Sequence, residues 1–265
     1  MKYLGKLFVG VLLSILLVAP VMAFTFEKDN LQFTGEYNYE KKEIETLHLA
    51  NIGGLSLEQN TSNVKVWEFL TTIGYKLSDN LVPYAILGTT YLNFDHSTRL
   101  LGEGFAVDVL GTEFRESAAF TYGGGARGEL MKFDNGVFVN YDTRWLMFNT
   151  SSTDNDLNIA NSYLSLQNKQ KVTYGEFDLN LTANKTFQMT KFVCSLTPYV
   201  GVRYSHVDLL YKNQNEYFNT ESETQGGMVS GLVGIGTEIN KNWSASIGGI
   251  VGEETGISVK AAFNF

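Results

Sequence analysis

Val137-Phe138-Val139-Asn140-Tyr141-Asp142-Thr143-Arg144-Trp145-Leu146-Met147-Phe148 changes face at every step. Val137, Val139, Tyr141, Thr143, Trp145 and Met147 take one side. Asn140, Asp142 and Arg144 take the other, with Phe138 and Leu146 near its ends. A period of two is the signature of a strand with unlike faces. The run is about twice the ~5–6 residues usual in globular sheets, and it matches a tilted strand crossing a bilayer.

The same alternation recurs through Thr173–Phe187, where Phe177, Leu179, Leu181 and Ala183 oppose Glu176, Asp178, Asn180 and Thr182. In Phe192–Tyr204 the polar set includes Ser195, Thr197, Tyr199 and Arg203, and Cys194 falls on the apolar set as a small hydrophobe. Ile257–Phe265 repeats the pattern. Ten such segments are expected, near 31–44, 64–77, 81–94, 118–133, 137–149, 172–187, 192–206, 228–239, 243–252 and 256–265. Leu47–Leu57 is an alternative first strand, and eight or twelve strands stay open.

The connections alternate in length. Ser78–Asn80, Asp134–Gly136, Gln188–Thr190 and Asn240–Asn242 are short, whereas 45–63, 95–117, 150–171 and 207–227 are long and polar. Aromatic residues sit near segment ends, as with Trp67 and Tyr75 or Tyr141 and Trp145. Alternating long segments, aromatic girdles and one-sided long loops predict an all-β fold, a transmembrane up-and-down antiparallel β-barrel. Leu81-Val82-Pro83-Tyr84 and Leu196-Thr197-Pro198-Tyr199 both follow a short turn and mark equivalent strand starts.

Composition narrows the field. The chain has 265 residues, a formal charge of −8, 18% charged and 13% aromatic residues, 26 Gly, three Pro and one Cys. One cysteine excludes a disulfide scaffold and Cys-based metal sites. An acidic balance without a basic run argues against nucleic acid. Lys2 and Lys6 precede an apolar run from Leu7 to Ala19, and Val21-Met22-Ala23 reads as a cleavage site. Residues 1–23 are therefore expected to be a signal peptide and 24–265 a single barrel domain.

The C-terminal stretch Gly256-Ile-Ser-Val-Lys-Ala-Ala-Phe-Asn-Phe265 resembles the last strand of the small Gram-negative outer-membrane barrels of the opacity-protein, OmpA and OmpX type. The resemblance covers about 31–265 by architecture. It implies a bacterial outer-membrane location, with outer-membrane lipid around the barrel. It also marks Phe263 and Phe265 as the signal read by the barrel-assembly machinery.

With apolar faces in lipid, the polar faces line a lumen. Arg127, Glu129, Asp142, Arg144, Glu176, Asp178, Arg203 and Lys260 are the candidate charge network, with Glu36, Glu40, Lys42, Glu68, Lys76 and Glu238 on the same set of faces. Open aqueous channels need ~16–18 strands, so a salt-bridged, plugged interior is expected over a narrow cation-preferring pore.

Catalytic signals are weak. Asp95-His96 and His206-Val207-Asp208 at strand tops invite comparison with omptin-like surface proteases, yet no Asp-x-Asp pair accompanies them at the rim. Asp154-Asn155-Asp156 reads as turn chemistry. Ser205 and His206 point to opposite faces, and His96 with His206 lack a third metal ligand. Gly123-Gly124-Gly125 reads as a bend or close approach within a strand. No catalytic residue, cofactor or metal is expected. A non-enzymatic surface barrel acting through its long loops on an unnamed extracellular ligand is the expected function, with a small porin as the alternative.

N-terminal sequencing of membrane-extracted protein should find Phe24 first; a start at Met1 would overturn the export reading. Deleting Phe265 should reduce the amount of heat-modifiable barrel in cells, and unchanged levels would count against its role as an assembly signal.

Overall fold

A computed structural model describes residues 30–43, 47–52, 55–78, 80–102, 105–114, 118–159, 162–189, 195–214 and 219–265. Its strands are β1 (Leu31–Lys42), β2 (Leu47–Ile52), β3 (Leu55–Tyr75), β4 (Val82–Gly102), β5 (Phe105–Phe114), β6 (Ala119–Lys132) and β7 (Val137–Ile159). They continue with β8 (Ser162–Lys185), β9 (Phe187–Gln188), β10 (Ser195–Gln214), β11 (Asn219–Glu238), β12 (Trp243–Gly252) and β13 (Glu254–Asn264). Ten of them form a closed antiparallel ring in the order β3-β1-β13-β12-β11-β10-β8-β7-β6-β4 and back to β3. Closure runs from Gln32 opposite Asn264 to Lys42 opposite Glu254. The signal-peptide expectation, Thr190 and Cys194 lie outside the described residues.

The tight turns stand at one end, where chain-local hydrogen bonds fix them. Gly136 adopts φ +78°, its amide donates to the Phe133 carbonyl at 3.0 Å, and Phe133 donates to Val137 at 2.8 Å. The Asn240 carboxamide oxygen accepts from the amides of Asn242 and Trp243, both at 2.9 Å.

At the other end the structure corrects the sequence reading. The stretches 45–63, 95–117, 150–171 and 207–227 are largely strand rather than irregular loop. β7–β8 and β10–β11 continue their ladders outward as paired hairpins, while β2 and β5 pair with the outer parts of β3 and β4. These ladders satisfy the backbone whether or not the side chains alternate in polarity. β7 and β8 stay paired up to Ile159 opposite Ser162. Asp154-Asn155-Asp156 is a bulge within that pair and not a turn. Leu47–Leu57 does not replace the first strand: β2 is an extra strand paired to the outer part of β3. β5 adds another, paired to β4 and, through Leu110 and Gly111, to β7.

The outer wall carries an apolar band. Phe120, Val200, Val229 and Val251 are each at least 60% exposed, a pattern that only lipid covers favourably. Aromatic pairs bound the band. Tyr39–Trp67 and Tyr122–Trp145 stand toward the long-hairpin end, at 5.3 and 6.3 Å between centroids. Phe33–Phe265 and Trp243–Phe263 stand at the short-turn end, at 5.5 and 5.0 Å. Tyr75 and Tyr141 belong to the short-turn rim, where the Tyr141 hydroxyl donates to the Asn80 carbonyl at 2.9 Å.

The two Pro-Tyr strand starts share a structural role. Tyr84 and Tyr199 both turn inward and lie across glycines of neighbouring strands. A Cβ on Gly125 would meet the Tyr84 ring at 2.6 Å, and one on Gly248 would meet the Tyr199 hydroxyl at 2.1 Å. Gly248→Ala should therefore lower stability by about 1–3 kcal/mol. Tyr199→Phe in the same chain should recover much of the loss, as read from heat-modifiable migration against temperature. Equal stability of Gly248→Ala and the parent would remove this packing role.

Candidate functional site in the barrel interior

The inner wall has three zones along the barrel axis. At the short-turn end lies a polar cavity of about 800 Å³, whose lining includes Lys76, Tyr84, Arg127, Glu129, Asp142 and Lys260. A smaller one of about 390 Å³, lined in part by Gln32, Thr34, Thr186 and Asn264, adjoins the end of the strands. Above the larger cavity is a packed ionic layer, and above that an apolar one.

The ionic layer is built by alternation on β1, β3, β7, β8, β10 and β13, each presenting its polar face inward. Arg203 donates to Glu40 at 2.8 Å, to Glu176 at 2.7 Å and to Asp178 at 2.9 Å, and lies 3.2 Å from Glu254. Arg144 donates to Asp178 at 2.8 Å and reaches Glu68 at 3.3 Å and Glu36 at 3.4 Å. The Lys42 ammonium sits among Glu176, Glu40 and Glu254 at 2.5, 2.8 and 3.0 Å. Neutral donors complete the acids: Asn38 donates to Glu36 and Glu68 at 2.7 and 2.9 Å, and Tyr174 donates to Glu176 at 2.5 Å. Exposure falls steeply with height, from 35% for the Lys260 side chain to 9% for Arg144, 5% for Arg203 and 0% for Lys42.

The carboxylates of Glu40, Glu176 and Glu254 converge closely enough to hold a metal ion. Lys42 fills that position with its own ammonium, so the triad already has its cation.

The apolar layer caps the ionic one. Val66, Leu92, Phe94, Phe114, Phe148, Val172, Tyr174, Val207, Leu209 and Tyr211 form one buried cluster, each at most 2% exposed. Phe148 stacks on Tyr174 at 4.7 Å and Phe94 on Phe114 at 5.1 Å, and the edge of Tyr211 meets Phe94 at 5.5 Å.

Four of the eight predicted network residues, Arg144, Glu176, Asp178 and Arg203, come together at the centre. Lys260 joins from below through Glu36 at 3.1 Å. Asp142 instead accepts from the Tyr84 hydroxyl at 2.5 Å. Arg127 donates to Gln32 at 3.0 Å and stands 5.5 Å over the Tyr84 ring. Glu129 lines the larger cavity. Glu36, Glu40, Lys42 and Glu68 belong to the core of the network, although only their shared face was evident in the sequence. Glu254 was missed. It extends the inward series Lys260, Ser258, Gly256 by one more step of two, a signal hidden by the adjacent Gly252-Glu253 turn.

The candidate catalytic residues are not brought together. His206 and Asp208 approach to 3.4 Å, but Val207 between them is fully buried in the interior, so the pair faces outward. Asp95-His96 lies on β4, which is not a neighbour of β10 in the ring. Ser205 points inward toward Glu176 at 3.4 Å, on the opposite face from His206.

No protein-family model and no curated protein matches the sequence. Solved structures do. The outer membrane protease OmpT from Escherichia coli is similar with a TM-score of 0.53 at 10% identity, over 93% of this chain and 99% of that one. The fold is that of an outer-membrane β-barrel. The translocator domain of autotransporter NalP from Neisseria meningitidis matches at TM-score 0.47 and 10% identity, over 97% and 96% of the two chains. The outer membrane protein OprG from Pseudomonas aeruginosa matches at 0.41 and 9%, over 90% and 98%.

Removing Arg203 takes from Glu40, Glu176 and Asp178 a cation that Lys42 and Arg144 only partly replace in a closed interior. Arg203→Ala should cost about 3–5 kcal/mol in a urea titration of the micelle-refolded barrel. Lys260→Ala, at the hydrated edge, should cost less than about 1 kcal/mol. Similar losses for the two would mean that the ionic layer is not closed to water.

Proposed function

We propose that this protein is a non-enzymatic, non-conducting outer-membrane barrel that presents a rigid β-structured surface to the outside. The observation that carries the reading is the continuous seal formed by the Arg144–Arg203–Lys42 ionic layer and the apolar cluster above it. An ion entering the polar cavity meets paired charges with almost no exposed surface, then a layer dominated by buried aromatic and aliphatic side chains. The long hairpins β7–β8 and β10–β11 continue the wall well above the aromatic girdle, so the outward contact surface is ordered sheet. The binding surface toward an extracellular ligand belongs to those extensions, and the C-terminal strand with Phe263 and Phe265 is the element offered to the barrel-assembly machinery.

The likeness to OmpT is one of fold. A peptidase at this rim would need a general base facing the interior or the rim opening, and the His206–Asp208 pair is turned to the outer wall. Planar bilayers containing the refolded full-length protein should show currents no higher than background, and a peptide library should remain uncut. Steady single-channel steps would support the small-channel alternative, and specific cleavage would support an enzyme.

A further inference from the structure

Lys41 and Lys65 stand directly opposite each other across the β1–β3 ladder. Both point outward, since Lys42, Val64 and Val66 beside them are buried inside. Like charges directly opposite on one sheet face repel. Here the outer flanking partners in register are Thr255 and Asn93, neither of which is charged. Glu253, two positions above Thr255, is engaged by the Val229 amide at 2.6 Å. Glu43, just past the end of β1, is exposed and ion-paired with neither lysine among the described residues. A second opposed pair, Lys171 and Lys212, stands higher on the β8–β10 ladder, and there Glu221 compensates Lys212 at 3.0 Å. Among the described residues the lower pair has no such partner.

Height supplies the missing partner. Tyr39 and Trp67, one step of two below Lys41 and Lys65, make the aromatic contact of the outer girdle. Aromatic belts sit at headgroup level, so the two ammonium groups stand where lipid phosphates lie. We propose that Lys41 and Lys65 form a site for a phosphorylated lipid headgroup of the outer leaflet, with the Tyr39–Trp67 pair packing against the lipid below it. The site lies on the outer wall, and it goes beyond the proposed function because it holds whether or not the interior conducts.

The test compares the full-length protein with Lys41→Gln/Lys65→Gln in phosphatidylcholine vesicles, with and without diphosphoryl lipid A. Without lipid A the double variant should melt at the parent's Tm or above it, because a repulsion has been removed; this also shows that it folds. With lipid A the parent should gain about 4–8 °C and the double variant should lose most of that gain. Lys171→Gln/Lys212→Gln should keep the parent's full gain. Inorganic phosphate added to phosphatidylcholine vesicles should leave the parent's Tm unchanged. An equal lipid A gain in parent and Lys41→Gln/Lys65→Gln would overturn the site. So would a gain from inorganic phosphate alone, or no gain in the parent.

Discussion

A chain that crosses hydrocarbon has to satisfy every backbone amide and carbonyl within itself, and this one does so by joining its first strand to its last. The β1–β13 ladder runs in unbroken register from Gln32 opposite Asn264 to Lys42 opposite Glu254. That register fixes more than closure. It sets Glu36 opposite Lys260, and Lys42 opposite Glu254, so the same pairing that removes the sheet edges assembles one wall of the ionic layer. The other wall comes from β7, β8 and β10, whose registers set Arg144 opposite Asp178 and Ser205 opposite Asp178.

Inside that ring the side chains sort by height. Solvated polar groups occupy the short-turn end, paired charges the middle and aromatic packing the far end. The order is physically economical. Charges near the cavity keep some water, as Lys260 does, whereas those deeper in must find protein partners, as Lys42 and Arg203 do. Acids outnumber bases in the layer, with Glu36, Glu40, Glu68, Glu176, Asp178 and Glu254 facing Lys42, Arg144, Arg203 and Lys260. Asn38, Tyr174 and Ser205 make up part of the difference with neutral donors.

The barrel was legible in the sequence because lipid on one side and polar interior on the other impose a strict period of two, as in Val137–Phe148. The outer extensions were not. Above the girdle the outward face meets water, so Thr173 and Lys171 lie outside while Val172 and Tyr174 lie inside. The sense of the alternation reverses, and a reading that keeps the apolar face outward loses the strand there. The apolar layer was hidden for the converse reason: Phe148 sits on the polar face of its strand, beyond Arg144 and Leu146, and reading the faces by polarity gave it no place there. Facing could be read, but pairing could not. Arg127 stands directly opposite Asp142, yet Tyr84 claims the carboxylate and the guanidinium reaches across to Gln32 on β1. Only the three-dimensional course of the tyrosine decides that competition.

The central ion pairs join parts of the chain that are made far apart in time. Lys42 and Glu254 are separated by 212 residues, and Arg203 and Glu40 by 163. Their loop-closure entropy is spent only when the final strand docks on the first, so these pairs favour the closed ring and nothing short of it. Before that moment the same residues are unpaired charges on a chain bound for hydrocarbon. A partly built sheet therefore carries these charges uncompensated, and closing the ring removes that cost.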